Sequence, residues 1–192
     1  DEITFYGTAN LMNFGTGNFS ISYWFKSDSV MVGHFGSVPV KYGSTNYYYE
    51  LTLLDNGVLK PRFHFADGSQ DYYADGTYAL EDSTWYYITA VRNVDTIALY
   101  IDGILQNQTI IATGASADNP GDLQIYPRSV TSSVYTKTLV DGFEMWNIAL
   151  NSSQIQAYMN CPPVGNESGL VGFWNFEEGS GTTTADQTSN GN

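Results

Sequence analysis

The sequence predicts an all-β chain, two antiparallel sheets packed face to face, with one short helix near residues 152–159. Three observations predict it. In residues 19–26, Phe19, Ile21, Tyr23 and Phe25 alternate with Ser20, Ser22, Trp24 and Lys26, which is the period of a half-buried strand. Residues 85–105 form two apolar runs around Asp102-Gly103, a pair that tolerates the positive φ angles of a two-residue hairpin turn. Residues 139–147 give a further strand and run straight into the helix. Turn signals recur at roughly 8–12 residues, the spacing of a sandwich.

The remaining elements follow in order. Residues 3–6 read as a short strand that breaks at Gly7. Residues 47–54 are a strand turning at Asp55-Asn56-Gly57, and 60–66 follow, closing at Asp67-Gly68. Residues 71–74 form a short strand before Asp75-Gly76, and 85–92 a long aromatic one. Residues 97–101 and 104–108 flank the hairpin turn, 114–121 are a loop, and 123–126 another strand. Asn151 and Gln154 have the spacing of a capping box, and Ile155, Tyr158 and Met159 share a helical face. Residues 161–168 are linker-like, and 170–176 make the last strand. Residues 179–192 hold few apolar side chains and read as a polar tail. The 192 residues are expected to form one domain.

Charge narrows the partners. Seven Lys and Arg against 20 Asp and Glu leave a formal charge of −13. Such a surface repels phosphate backbones and anionic lipid, so neither nucleic acid nor a membrane surface is an expected partner. Excess carboxylate suits calcium, which takes six to eight oxygen ligands; a merely solvated acidic surface explains the composition equally. No run approaches the ~18 apolar residues of a membrane span. No basic-then-apolar leader opens the sequence, so a secreted form is expected to have lost its signal. Cys161 is the single cysteine, which leaves no internal disulfide.

Catalytic patterns are missing. There is no Gly-x-Ser-x-Gly motif and no phosphate loop, and His34 and His64 lack metal-ligand spacing. Retaining glycoside hydrolysis needs two carboxyl groups about 5–5.5 Å apart. Asp141 and Glu144 are three residues apart, which on a regular strand places them on opposite faces. A non-enzymatic module is expected.

Taken together and in this order, four segments resemble the laminin G-like, concanavalin A-like lectin/glucanase superfamily. They are residues 17–26, 84–92, 98–103 with its Tyr-x-Asp-Gly turn, and 140–150 followed by Gln154-Ile155. The resemblance covers about residues 3–160. It implies a jelly-roll sandwich, an extracellular or cell-surface location, one structural calcium ion, and work as a carbohydrate-binding or adhesion module of a larger secreted protein. Residues 169–181 resemble the segment that usually opens such a module, yet here they come last. They either fold back beside residues 3–6 to complete the same domain, begin a following module, or are donated to a neighbouring copy. The last option would produce self-association into surface fibres.

For calcium, the resemblance points to Asp141, the main chain near Gly7, and Glu177 or Glu178. One departure is Tyr6, where the family often has an acidic residue. Asp186, Asn190 and Asn192 form a candidate second oxygen cluster, or simply part of the polar tail. Sugar binding needs an aromatic face to stack on a pyranose ring, with polar groups nearby. Strand alternation offers Trp24, Tyr48, Tyr73 and Tyr86 as candidates, each of which packing could equally claim.

Overall fold

Alternation in the sequence becomes two six-stranded antiparallel sheets, seen in a computed structural model that describes residues 3–5, 13–27, 36–42, 47–55, 59–125 and 138–192. One sheet, sheet A, contains β1 (Ile3–Phe5), β3 (Gly36–Tyr42), β4 (Tyr47–Asp55), β5 (Leu59–Asp67), β6 (Asp71–Asp75) and β10 (Leu123–Ile125). Its spatial order is β1-β10-β3-β4-β5-β6. The other, sheet B, contains β2 (Phe19–Ser27), β7 (Trp85–Asn93), β8 (Thr96–Ile101), β9 (Ile104–Ile110), β11 (Thr138–Trp146) and β12 (Leu170–Trp174), ordered β12-β11-β2-β7-β8-β9. The single helix among the described residues is α1 (Ser152–Asn160). No helix there is long and apolar enough to cross a membrane.

Each face of sheet B has its own apolar cluster. Phe19, Ile21, Tyr23 and Phe25 of β2 meet Phe63, Phe65, Tyr49 and Leu51 of sheet A in the inter-sheet core. On the outer face, Tyr87, Trp146, Phe173 and Leu150 pack against Ile155 of α1. That second cluster explains why Ser20 and Ser22 are buried although they point away from the main core. Ser20 Oγ donates to the Ile148 carbonyl (2.8 Å) and accepts from Leu150 N–H (2.9 Å), which ties the helix-entry segment to the sheet. The capping box is present: Asn151 accepts from Gln154 N–H and the Gln154 side chain accepts from Asn151 N–H.

The hairpin turn at 102–103 has φ of 51° at Asp102 and 72° at Gly103, both in the left-handed region. Gly103 is needed twice over, because a Cβ there would lie 2.5 Å from Gln156 Cγ on α1. Asp102 Oδ1 also accepts from Tyr87 N–H (2.8 Å), fastening the turn to β7.

Strand β3 has no counterpart in the sequence reading. Pro39 masks it, since a residue without N–H is disfavoured inside a sheet. The ladder accommodates the proline by shifting register between Val38 and Val40, so Pro39 falls at an irregularity.

Within this chain the C-terminal strand lies in sheet B rather than beside residues 3–5. β12 pairs with β11, on the sheet opposite β1, and meets β1 through the Phe5–Trp174 ring contact at 4.5 Å. The residues after it are hydrogen-bonded to β12. Asp186 Oδ1 accepts from the Phe173 and Thr188 N–H groups (3.0 and 2.9 Å). Gln187 N–H donates to the Phe173 carbonyl (2.7 Å), and both Asn190 and Asn192 donate Nδ2–H to the Val171 carbonyl. The tail expected from composition is thus held to β12 by hydrogen bonds rather than by apolar burial, which composition does not register.

Candidate functional site

Alternation along β5 and β6 sends one set of side chains into the core and another to the outer face of sheet A. Phe63, Phe65 and Ala74 go inward. Arg62, His64, Asp71, Tyr73 and Asp75 go outward, and Glu50 of β4 joins them because its register partner is His64. Glu50, His64 and Tyr73 therefore form one cross-strand row.

Tyr73 is the centre of this group. Its ring lies 4.5 Å from the His64 ring and 4.4 Å from the Arg62 guanidinium carbon, measured between centroids and to the centroid. Each of those backing groups is held in turn. Asp75 accepts from Arg62 Nε and Nη2 at 2.6 and 2.8 Å, a bidentate pair. His64 Nδ1 faces Glu50 Oε1 at 3.2 Å and its Nε2 faces Asp71 Oδ1 at 3.0 Å. Thr109 Oγ1 of β9 donates to the Tyr73 carbonyl (2.6 Å) and links the two sheets at this edge. Tyr73 nevertheless remains 38% exposed. Hydrogen bonding to Asp75 holds the Arg62 guanidinium above its ordinary pKa. Partial burial, then the Asp71 carboxylate, holds the Tyr73 phenol above its own, so it is a neutral hydroxyl at physiological pH. The result is a fixed aromatic face rimmed by carboxylates and a guanidinium.

The other stacking candidates separate. Tyr86 points into the inter-sheet core, where its hydroxyl accepts from Glu81 N–H (2.9 Å); its ring offers no face to a ligand, because β7 alternation assigns Tyr86 inward and Trp85 outward. Trp24 lies on the outer face of sheet B, half-buried against Tyr87 at 5.3 Å. The Tyr48 backbone pairs with Ala66, while its side chain lies outside the described residues.

The calcium candidates are only partly brought together. Gly7 lies outside the described residues. Asp141 is exposed, and its Oδ1 accepts from Gly142 N–H at 2.8 Å. Glu177 is exposed, while Glu178 Oε1 accepts from Thr184 Oγ1 and Ala185 N–H, both at 2.9 Å. Among the described residues no group of three His, Cys, Asp or Glu side chains is arranged to hold a metal ion. Asp186 is already saturated: besides the bonds at Oδ1, its Oδ2 accepts from Thr188 Oγ1 (2.7 Å), Asn192 N (3.1 Å) and Asn192 Nδ2 (2.7 Å). Asp186, Asn190 and Asn192 do come together, as a hydrogen-bonded strap on β12.

One expectation needs correction. Asp141 and Glu144 share a face. Asp141 pairs with Trp24 and Glu144 with Ser22, so two residues of β11, Gly142 and Phe143, stand against Tyr23 alone. This bulge, with Gly142 at φ 57°, shifts the alternation by one and turns both carboxylates outward. Glu144 is then covered beneath α1, accepting from Tyr87 Oη (2.9 Å) and Trp146 Nε1 (3.1 Å), and is only 1% exposed.

Sequence reasoning missed the groups that back Tyr73. A signal was available: Asp67-Gly68-Ser69-Gln70 turns the chain between Arg62-x-His64 and Asp71-x-Tyr73-x-Asp75, and alternation puts all five on one face.

An antiparallel jelly-roll sandwich with an ordered aromatic and charged patch is the class that fold and site define. The chain belongs to the Laminin_G_3 family of the concanavalin A-like lectin/glucanase superfamily, whose model matches residues 3–156. A comparison with curated proteins found no match. Among solved structures, the receptor binding domain of botulinum neurotoxin D is similar at 14% identity and a TM-score of 0.67, over 83% of this chain and 40% of that one. The binding domain of Paraclostridial Mosquitocidal Protein 1 is similar at 18% identity and a TM-score of 0.65, with coverage of 83% and 40%. A third, from a study entitled "Cell entry of botulinum neurotoxin type C is dependent upon interaction with two ganglioside molecules", shares 14% identity at a TM-score of 0.66, over 83% of this chain and 39% of that one. The chain thus spans about two fifths of the solved chains it matches. At these identities the likeness is one of fold.

Proposed function

We propose that this chain is a non-catalytic carbohydrate-binding module that attaches a larger secreted protein to cell-surface or polysaccharide glycans. The observation that carries this reading is the Tyr73 face, backed by Arg62 and His64 and left open to solvent. Such a face costs little to order on binding, since its neighbours are already fixed. The carboxylates of Asp71 and Asp75 beside it are acceptors for sugar hydroxyls. Family membership and the binding domains among the structural neighbours support the same reading.

A glycan array followed by calorimetry tests it. Wild-type protein is expected to give reproducible hits. Tyr73→Ala is expected to weaken them about tenfold, the loss of roughly 1.4 kcal/mol of stacking. Tyr73→Phe should retain most of the affinity. Silence across the array, or full affinity in Tyr73→Ala, would remove this reading.

The proposal includes a structural calcium ion at Asp141. Because Glu178 is committed to Thr184 and Ala185, the ion would take most of its ligands from main-chain oxygens and water. Chelator-treated protein is expected to melt about 5–10 °C higher once calcium reaches 100-fold over its dissociation constant. Asp141→Asn should abolish that rise. An unchanged melting curve in wild type would rule the ion out.

A further inference from the structure

Sheet B carries a second aromatic surface. Helix α1 and the residues leading into it cover one end of its outer face, where Ile155 of α1 packs with Trp146 and Tyr87. At the other end Trp24 and Trp85 stand on adjacent strands. Lys26 pairs with Trp85, and Trp24 with Tyr87, so the two tryptophans are diagonal neighbours, about 7–8 Å apart at their backbones. Trp85 is 40% exposed, and the Lys26 ammonium lies 5.7 Å from its ring centroid. Trp24 is backed by Tyr87, with ring centroids 5.3 Å apart. Leu139, the other register partner of Lys26, adds an exposed apolar edge.

We propose that Trp24, Lys26 and Trp85 form a second carbohydrate-stacking surface, on the sheet opposite Tyr73, for a chain of neutral hexopyranose units. This goes beyond the Tyr73 reading and stands on different residues. The exposed apolar area, on the order of 200 Å², falls well short of the ~800 Å² per partner of a stable protein interface. Two neighbouring indoles on one sheet face suit the apolar faces of successive sugar rings, and Lys26 supplies N–H donors to their hydroxyls. The formal charge of −13 disfavours uronic or sialic acid chains.

Tryptophan fluorescence reads this surface selectively. Trp146 and Trp174 are buried, so emission that responds to an added sugar comes from Trp24 and Trp85. The 192-residue chain is titrated with cello-, laminari- and mannohexaose, and with an oligogalacturonate as the anionic arm, at up to millimolar concentration. At least one neutral hexaose is expected to shift the emission saturably. Trp85→Ala should weaken that binding about tenfold and Trp85→Phe much less, with both variants melting within a few degrees of wild type. Tyr73→Ala should leave the shift intact, which separates this surface from the first. No shift with any neutral hexaose, an unchanged shift in Trp85→Ala, or a shift confined to the anionic chain would overturn the proposal.

Discussion

Replacing Glu144 by glutamine is expected to raise the melting temperature markedly at pH 8 and hardly at all at pH 4. Burial beneath α1 pushes the Glu144 carboxyl from 4.5 up to about 8, even though Tyr87 and Trp146 donate to it. The folded state therefore holds this proton more tightly than the unfolded chain. Its contribution to stability is fully present below pH 4.5, declines between pH 4.5 and 8 by up to ~1.4 kcal/mol per pH unit, and levels off above. Over that window the loss is on the order of several kcal/mol. Glutamine presents a similar shape without the charge, since its Oε1 accepts from Trp146 and its Nε2–H donates to the Tyr87 oxygen. The check is a set of thermal melts from pH 4 to 9 on both proteins. The difference between them should grow from about zero to roughly 10 °C. Parallel curves would show that Glu144 keeps an ordinary carboxyl pKa in the fold.

Arg92→Met should cost about 3–5 kcal/mol of stability, read as a fall in the urea midpoint at constant slope. Arg92 is 1% exposed and lies within the sandwich, its guanidinium carbon 5.1 Å from the Phe65 ring centroid. It donates to the main-chain carbonyls of Gly15 (2.8 Å), Ala115 and Val94 (3.4 Å), joining three separate loop segments at one pole. Methionine fills much of the volume and satisfies none of those acceptors, each worth about 1–3 kcal/mol when left buried and unpaired. Lysine keeps the charge but lacks the planar fork, so Arg92→Lys should recover less than half of the loss. A cost below about 1 kcal/mol for methionine would mean that water replaces the guanidinium there.

Both residues show where sequence reading stops. The alternation of β2 assigns Phe19, Ile21, Tyr23 and Phe25 to one face with no further information, and the structure places all four in the inter-sheet core. The hairpin at Asp102-Gly103 and the capping box at Asn151 and Gln154 are equally local, because turn and cap chemistry lies within a few residues. β3 is hidden by Pro39, whose disfavour inside a sheet is absorbed by a register shift against β4. Glu144 was misplaced for a related reason. Its side of the sheet depends on the bulge against β2, more than a hundred residues earlier in the chain.

The candidate sites were legible in the same uneven way. Tyr73 and Trp24 were visible as aromatics on outward-facing positions. Arg62, His64, Glu50 and Trp85, which turn single rings into surfaces, become neighbours only through cross-strand register. Tyr86, a stacking candidate by alternation alone, lies inward, since a pair such as Tyr86-Tyr87 occupies both faces and only the packing of the second sheet says which is which.

What this sequence determined by itself is the all-β sandwich, most of its strands, the helix at Ser152–Asn160 and its family, because those rest on period, turn chemistry and ordered short motifs. The tertiary structure alone decided the pairing of β12 with β11, the strap formed by Asp186, Asn190 and Asn192, the burial of Glu144 and the aromatic surfaces on opposite sheets. The strap is set by side-chain hydrogen bonds to β12, and the others by register between strands, which is a property of the closed sheets rather than of any single segment.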